Sequence, residues 1–379
     1  MYKSYRFRIY PSPAQAALLE KHFDCARQFY NILVDKERSI PLSGQESGCQ
    51  LFQKLCQDHP LIREINPTTL NYVLINFTNT RKRNQALNRK LHFKNHHGRA
   101  SISLSNNRQS LQLGQKSISV SSFGNIKSRI SQQTAGHLVR ATLIKAGSGR
   151  YYASVLTRQP DIITVLPASK DKLLCIGLDM GITHFMTRSD GIRVDNPRYF
   201  QEGLARLRHL QRELARKKRG SANYRKQQIR IARFHERIAT RRNAFLHKES
   251  TRIVRENDII VVEKLGIADL IEEKKLSRRI CDASWRRFID MLTYKSRWYG
   301  KQLIQINRYC PTTKTCCKCR RQNPHLPLNI REWQCPGCST RHDRDTNAAI
   351  NILIEGVKTY LKDCPDHKPK LIPVLSDQR

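Results

Sequence analysis

The chain has 379 residues, more than a single compact core usually occupies, so two or more domains are expected. Lysine and arginine number 69 against 31 aspartates and glutamates, and a net charge of +38 would destabilise a compact protein by self-repulsion unless a polyanion offset it. The charge is spread along the chain instead of gathered in one tail, which points to an extended nucleic-acid partner, and no apolar run approaches the ~18 residues of a membrane span.

In chain order, Tyr5, Phe7 and Ile9 alternate with Arg6 and Arg8, which predicts a half-buried strand with a basic outer face, stopped by Pro11-Ser12-Pro13. From Ala14 the period turns helical, with Ala17, Leu18, His22, Cys25 and Phe29 near one face. A second helix is expected over about Asn66–Leu91, carrying Arg81-Lys82-Arg83, and Ser43–Gly48 reads as a loop. From Phe93 to Pro160 short alternating segments dominate (Ala100–Leu104, Ser110–Leu113, Ser117–Val120, Val139–Ile144, Tyr151–Leu156), predicting a small β-barrel or sheet. Asp161–Lys170 reads as a linker.

Leu173–Leu178 is nearly all apolar, as a strand buried on both faces would be. Ser189-Asp190-Gly191 between His184–Thr187 and Ile192–Val194 is a hairpin signal. Leu204–Lys248 holds fifteen lysines and arginines but only two acids, Glu213 and Glu236; its apolar seam breaks at Arg219-Gly220-Ser221, so two basic helices facing phosphates are expected. Ile259–Val262 reads as a second buried strand ending at Glu263, and Ser284–Gln305 as a helix. The polar, proline-containing tail beyond Gly356 is expected to be poorly ordered.

Twelve cysteines show no secreted framework, and the opening Met1–Phe7 lacks the apolar stretch of a signal peptide, so a reducing compartment is expected. Cys316, Cys319, Cys335 and Cys338 form two CxxC pairs fifteen residues apart, the spacing of a closed, structural four-thiolate zinc site. Cys317 competes for a place among the ligands, and His325 or His342 could substitute; spacing favours the four named thiols.

Three acids complete the chemistry. Asp179 lies at a strand position, Glu263 at a strand end, and Asp345 at the start of a small-residue helix, where Asp343 is a rival and either could serve as the helix cap. Mg²⁺ takes hard oxygen ligands, and two ions held by such carboxylates can activate water and stabilise the leaving oxygen of a phosphodiester. In that arrangement Asp179 bridges both ions, and Glu263 and Asp345 each complete one.

With these residues in place the chain resembles TnpB, the insertion-sequence-encoded RNA-guided DNA endonuclease family related to compact type V CRISPR effectors. The resemblance rests on Phe7–Gln15, Gly177-Leu178-Asp179-Met180-Gly181-Ile182, Phe245–Lys248, Val262–Leu265, the cysteine pairs and Asp343–Asn351. Met180 stands where leucine is common, and Arg320 where glycine is usual after the second cysteine of a pair. The resemblance implies an α/β RuvC-like (RNase H-type) nuclease domain over 171–308 and 343–356, with a zinc-ribbon insertion at 309–342. It further implies an N-terminal wedge β-barrel over 1–10 and 93–165, a helical recognition insertion at 11–92, and a tail over 357–379. It implies catalytic Asp179, Glu263 and Asp345 with Mg²⁺, structural Zn²⁺, a guide RNA derived from the transposon end, and double-stranded target DNA cut beside a short flanking motif. A monomeric protein in a prokaryotic cytoplasm, associated with the nucleoid, is the expected setting. The alternatives are an RNA-guided DNA-binding regulator without cleavage and a transposase or transposition accessory protein.

Overall fold

The computed structural model describes residues 1–39, 65–95, 98–107, 110–160, 172–266, 276–327, 329–363, 370–373 and 375. The loop expected at Ser43–Gly48 and the linker expected at Asp161–Lys170 lie outside these residues. The chain divides into two compact units, Met1–Asp161 with Lys217–Arg233, and Ile162–Arg216 with Phe234–Arg379.

The first unit opens with strand β1 (Tyr2–Tyr10) and helix α1 (Pro13–Ser39), followed by α2 (Pro67–Ala86). Six strands complete it: β2 (Ala100–Ser105), β3 (Leu111–Leu113), β4 (Ser117–Val120), β5 (Gly124–Arg129), β6 (His137–Lys145) and β7 (Tyr151–Arg158). They form an antiparallel sheet in the order β2-β6-β7-β1-β5-β4-β3. The alternation in β1 buries Tyr5, Phe7 and Ile9 and leaves Arg6 exposed. Ser12 and Gln15 start α1 with a reciprocal cap, Gln15 N donating to Ser12 Oγ and Ser12 N to Gln15 Oε1. Asn66 caps α2, which stops at Ala86, short of the expected Leu91, with Asn88 two residues on in the left-handed region at φ 49. Phe23, Phe29, Leu33, Leu70 and Phe77 of the two helices share one apolar core with residues from all seven strands.

The second unit is built on β8 (Lys172–Met180), β9 (His184–Arg188), β10 (Arg193–Asp195), β11 (Ile259–Glu263) and β12 (Gln302–Ile306), in the order β10-β9-β8-β11-β12. β8, β9 and β10 pair antiparallel, whereas β8, β11 and β12 pair parallel. The expected hairpin forms between β9 and β10, with Gly191 at φ 81 in its turn. The basic helices are α3 (Tyr199–Ala215) and α4 (Ala222–Glu256), separated where the apolar seam breaks; α4 to Arg233 belongs to the first unit and from Phe234 to the second. Then follow α5 (Ser277–Ala283), α6 (Trp285–Tyr299), the short strands β13 (Glu332–Gln334) and β14 (Arg341–Asp343), α7 (Arg344–Asp363) and β15 (Lys370–Pro373).

Two expectations are corrected. The helix expected to reach Gln305 ends at Tyr299, because Gly300 adopts φ 62 and ends the helical run. Leu303, Ile304 and Ile306 then add β12 to the parallel edge of the sheet. The tail expected from 357 is likewise ordered where it is described: α7 continues to Asp363, burying Tyr360, and Lys370–Pro373 pairs with the first half of β8. Gly356 is a packing position, since a Cβ there would lie 2.3 Å from Val261 Cγ1.

β8 and β11 read as unbroken apolar runs because both faces of the sheet are covered. Ile176, Leu178, Ile260 and Val262 pack with Phe185, Leu246 and Phe288 on one face; Leu173, Cys175, Ile259 and Val261 pack with Ile352 and Leu353 of α7 on the other. α7 lies so close to β8 that a Cβ on Gly177 would sit 2.2 Å from the Ala349 carbonyl oxygen, a backbone atom that cannot swing aside. Gly177→Ala is therefore expected to lower stability by about 3 kcal/mol or more in urea unfolding. Gly147→Ala, with open space around it, is the control, and equal stability of the two variants would contradict this packing.

Candidate active site and metal centre

The close crossing at Gly177 also sets where the acids meet. Val262 pairs with Leu178, so Asp179 and Glu263 follow side by side at the end of two parallel strands. Asp179 is two residues beyond Gly177 and on the same sheet face; Asp345 is four residues before Ala349 and on the same helix face. Two strand residues and four helical residues both span roughly 6–7 Å, so a helix crossing at Gly177 in the opposite sense brings Asp345 to Asp179.

The electrostatics agree with that placement. Asp179 keeps part of its surface open, yet its carboxyl is pushed up to about 8, by desolvation first and then by the charges of Asp345 and Glu263; Arg331 and Arg344 pull the other way. Desolvation raises Glu263 to about 6. Three carboxylates thus crowd one end of the sheet, and cations bound among them would relieve the repulsion. That donor set of carboxylate oxygens fits a hard divalent ion such as Mg²⁺.

The rivalry between the two aspartates resolves by hydrogen bonding. Asp343 Oδ1 accepts from the backbone N (2.9 Å) and hydroxyl (2.8 Å) of Thr346, as a helix cap does, and Asp343 also pairs with Arg193 at 2.6 Å. Asp345 is left to face Asp179. Its carboxylate accepts from Arg331 Nη1 at 2.9 Å. Sequence reasoning missed Arg331, a single basic residue in a basic chain with no spacing to mark it. It reaches the site because its carbonyl accepts the Arg344 N–H at 2.7 Å, tying the segment before β13 to the start of α7.

The four chosen thiols converge, with all four sulfurs within 4.8 Å of one another. Cys316 and Cys338 sulfurs are 3.6 Å apart and those of Cys319 and Cys335 are 3.5 Å apart, close to the ~3.8 Å edge of a tetrahedron with 2.3 Å zinc–sulfur bonds. Both knuckles aim amides at their sulfurs, Cys319 N at Cys316 Sγ (3.5 Å) and Gly337 N at Cys335 Sγ (3.4 Å). Hydrogen bonds from Thr340 bring the Cys338 thiol down to about 6, whereas burial pushes Cys316 up to about 12. The residues fit a structural zinc ion. Cys317 stands outside the cluster, its amide donating to Asn347 Oδ1 and its sulfur 3.9 Å from His342 Nδ1. His342 Nε2 lies 3.1 Å from Cys316 Sγ, its ring beside Trp333, and His325 is exposed.

Three family models match the chain. Residues 154–274 match one described as "Probable transposase" (OrfB of IS605), and residues 285–352 match one described as "Cas12f1-like, TNB domain". Residues 1–39 match a model described as "Helix-turn-helix domain", although here they form strand β1 and one helix, α1. A Streptomyces pristinaespiralis protein named "Putative RNA-guided DNA endonuclease" is 34% identical over 369 residues, covering 94% of this chain and 89% of that one. The Escherichia coli K12 protein named "Putative RNA-guided DNA endonuclease InsQ" is 28% identical over 249 residues, 62% of this chain and 60% of that one. The cryo-EM structure of a Cas12f1–sgRNA–target DNA complex aligns with 93% of this chain and 99% of that one, at 14% identity and a TM-score of 0.36. With 34% identity along nearly the whole length of both it and the Streptomyces protein, the chain belongs to the TnpB family, the OrfB proteins of IS605-type insertion sequences.

Proposed function

We propose that the protein is an RNA-guided, divalent-metal-dependent DNA endonuclease encoded by a transposable element. The observation that carries this reading is the meeting of Asp179, Glu263 and Asp345 at one end of the β8–β11 pair. Asp179, Glu263 and Asp345 would hold the divalent ions through their carboxylate oxygens. Bound there, Mg²⁺ would supply an activated water and neutralise charge on the leaving oxygen. Arg331 holds the Asp345 carboxylate in one orientation. Cys316, Cys319, Cys335 and Cys338 would hold the structural zinc.

The partners follow from charge and family. A net charge of +38 suits a guide RNA, derived from the transposon end, and a double-stranded DNA target. Arg6 lies 4.1 Å over the Tyr152 ring and Arg8 4.9 Å over Tyr10, a basic and aromatic strand face of the kind nucleic acid uses. Target sequence would be read by base pairing, leaving the protein a short flanking motif and duplex shape; by family likeness that motif falls to the N-terminal unit. A monomer working in a prokaryotic cytoplasm at the nucleoid completes the reading.

The test is to express the protein with its native flanking DNA, sequence the co-purifying RNA, and challenge the complex with a plasmid library matching it. A defined RNA that washes off steeply with salt and directs Mg²⁺-dependent cutting beside one motif is expected. A defined RNA without cutting would turn the assignment to a binding-only regulator, and the absence of any specific RNA would overturn guided recognition.

A further inference from the structure

α7 is held on two faces. At about 100° per residue, Asp345, Ala349, Leu353 and Gly356 lie toward the sheet, while Asn347, Asn351 and Glu355 lie on the far side. That far side carries a polar latch to the first cysteine knuckle. Asn351 Nδ2 donates to the carbonyls of Thr312 (2.8 Å) and Thr315 (2.6 Å), and Asn347 Nδ2 to Thr315 (2.8 Å). Asn347 Oδ1 accepts the Cys317 N–H at 2.9 Å. Both asparagines are buried, at 0% and 1% exposure, with their amides satisfied by the chain segments on either side of Cys316. Buried, fully paired amides of this kind fix one arrangement, because any other would leave donors and acceptors without partners.

Arg320 closes the latch. Its backbone is left-handed at φ 66, a state that glycine adopts freely and a residue with a Cβ does not. Its guanidinium spans the gap to α7, Nη1 donating to Asn351 Oδ1 at 2.6 Å and Nη2 pairing with Glu355 at 2.7 Å. A side chain that lands on the helix offsets an unfavourable backbone, and ties zinc ligands Cys316 and Cys319 to the helix bearing Asp345.

We infer that Arg320, Asn347 and Asn351 are positioning residues through which the four-thiolate centre sets Asp345, so that zinc loading raises the affinity of the acid cluster for its divalent ion. The inference rests on Asp345 being a ligand of that ion. Coupling of two sites through one rigid element is reciprocal and typically changes affinity ~5–150-fold.

The test uses the full chain with its RNA and reads Mn²⁺ binding by the loss of free-ion EPR signal, alongside zinc content and hydrogen exchange of the 346–351 amides. Asn351→Ala and Arg320→Ala should weaken Mn²⁺ binding at least about fivefold and speed that exchange, with guide RNA retained. Arg320→Gly should show the same loss as Arg320→Ala although it relaxes the backbone, and Arg320→Lys should restore part of it. Arg320→Ala touches only the partly exposed edge of the latch, so it keeps the test open if Asn351→Ala does not fold. Asp345→Ala separates the two claims. If it leaves Mn²⁺ binding intact, the ion-site reading itself fails; if it abolishes binding while the Arg320 and Asn351 variants stay within about twofold of wild type, the coupling alone is overturned.

Discussion

Asp179→Asn is expected to abolish DNA cutting and, in the metal-free protein at pH 8, to raise thermal stability. In the proposed site Asp179 is a metal ligand, and its loss should exceed the roughly 100-fold that losing a supporting partner of a ligand costs. The stability sign follows from the raised carboxyl. Desolvation, Asp345 and Glu263 push Asp179 up to about 8, against roughly 3.9 in the unfolded chain. Folding therefore favours the protonated form, and its contribution is fully present below about pH 4 and lost as pH rises through about 8. At pH 8 the wild type carries a penalty on the order of a few kcal/mol that asparagine does not. The melting-temperature gain of Asp179→Asn should shrink as pH falls from 8 to 5, and Mg²⁺ should raise the melting temperature of the wild type far more than that of the variant. A variant less stable than wild type at pH 8 without metal would contradict the crowding of charge at this position.

The zinc centre carries the second large expectation. Structural zinc contributes an apparent ~10–16 kcal/mol in small zinc-finger peptides, so the ribbon should depend on it for folding. One zinc per chain is expected, and Cys335→Ser should release it and remove hydrogen-exchange protection from β13 and β14, while the seven-stranded sheet stays protected. Cys317→Ser should keep zinc, because its sulfur is outside the four that converge. Zinc lost from Cys317→Ser but kept by Cys335→Ser would overturn the ligand set.

What could be read before the structure was whatever rests on local spacing. The two CxxC pairs, the double-faced strands at Leu173–Leu178 and Ile259–Val262, and the break between the basic helices needed only periodicity and turn residues. Asp179 and Glu263 stood out because an acid at the end of an apolar strand has no packing reason to be there. Choosing Asp345 over Asp343 needed three dimensions, since both suit a helix start and only the bonds to Thr346 show which one caps. Arg331 was illegible because its meaning comes from a backbone bond to Arg344. β12 was hidden in an apparent helix because Leu303, Ile304 and Ile306 fit either period, and only the edge of β11 decides between them. The ordered turns beyond Gly356 were illegible because a polar, proline-containing stretch reads as tail, and only packing against the sheet, where Gly356 meets Val261, shows the helix continuing.

The most direct measurement of the central claim is to locate bound Mn²⁺ by anomalous scattering in crystals of the protein–RNA complex with DNA. Two peaks about 3.5–4 Å apart, touching Asp179, Glu263 and Asp345, are expected, and none at these acids in Asp179→Asn. Well-ordered carboxylates with no peak among them, or ions bound elsewhere in a complex that still cuts, would contradict the account.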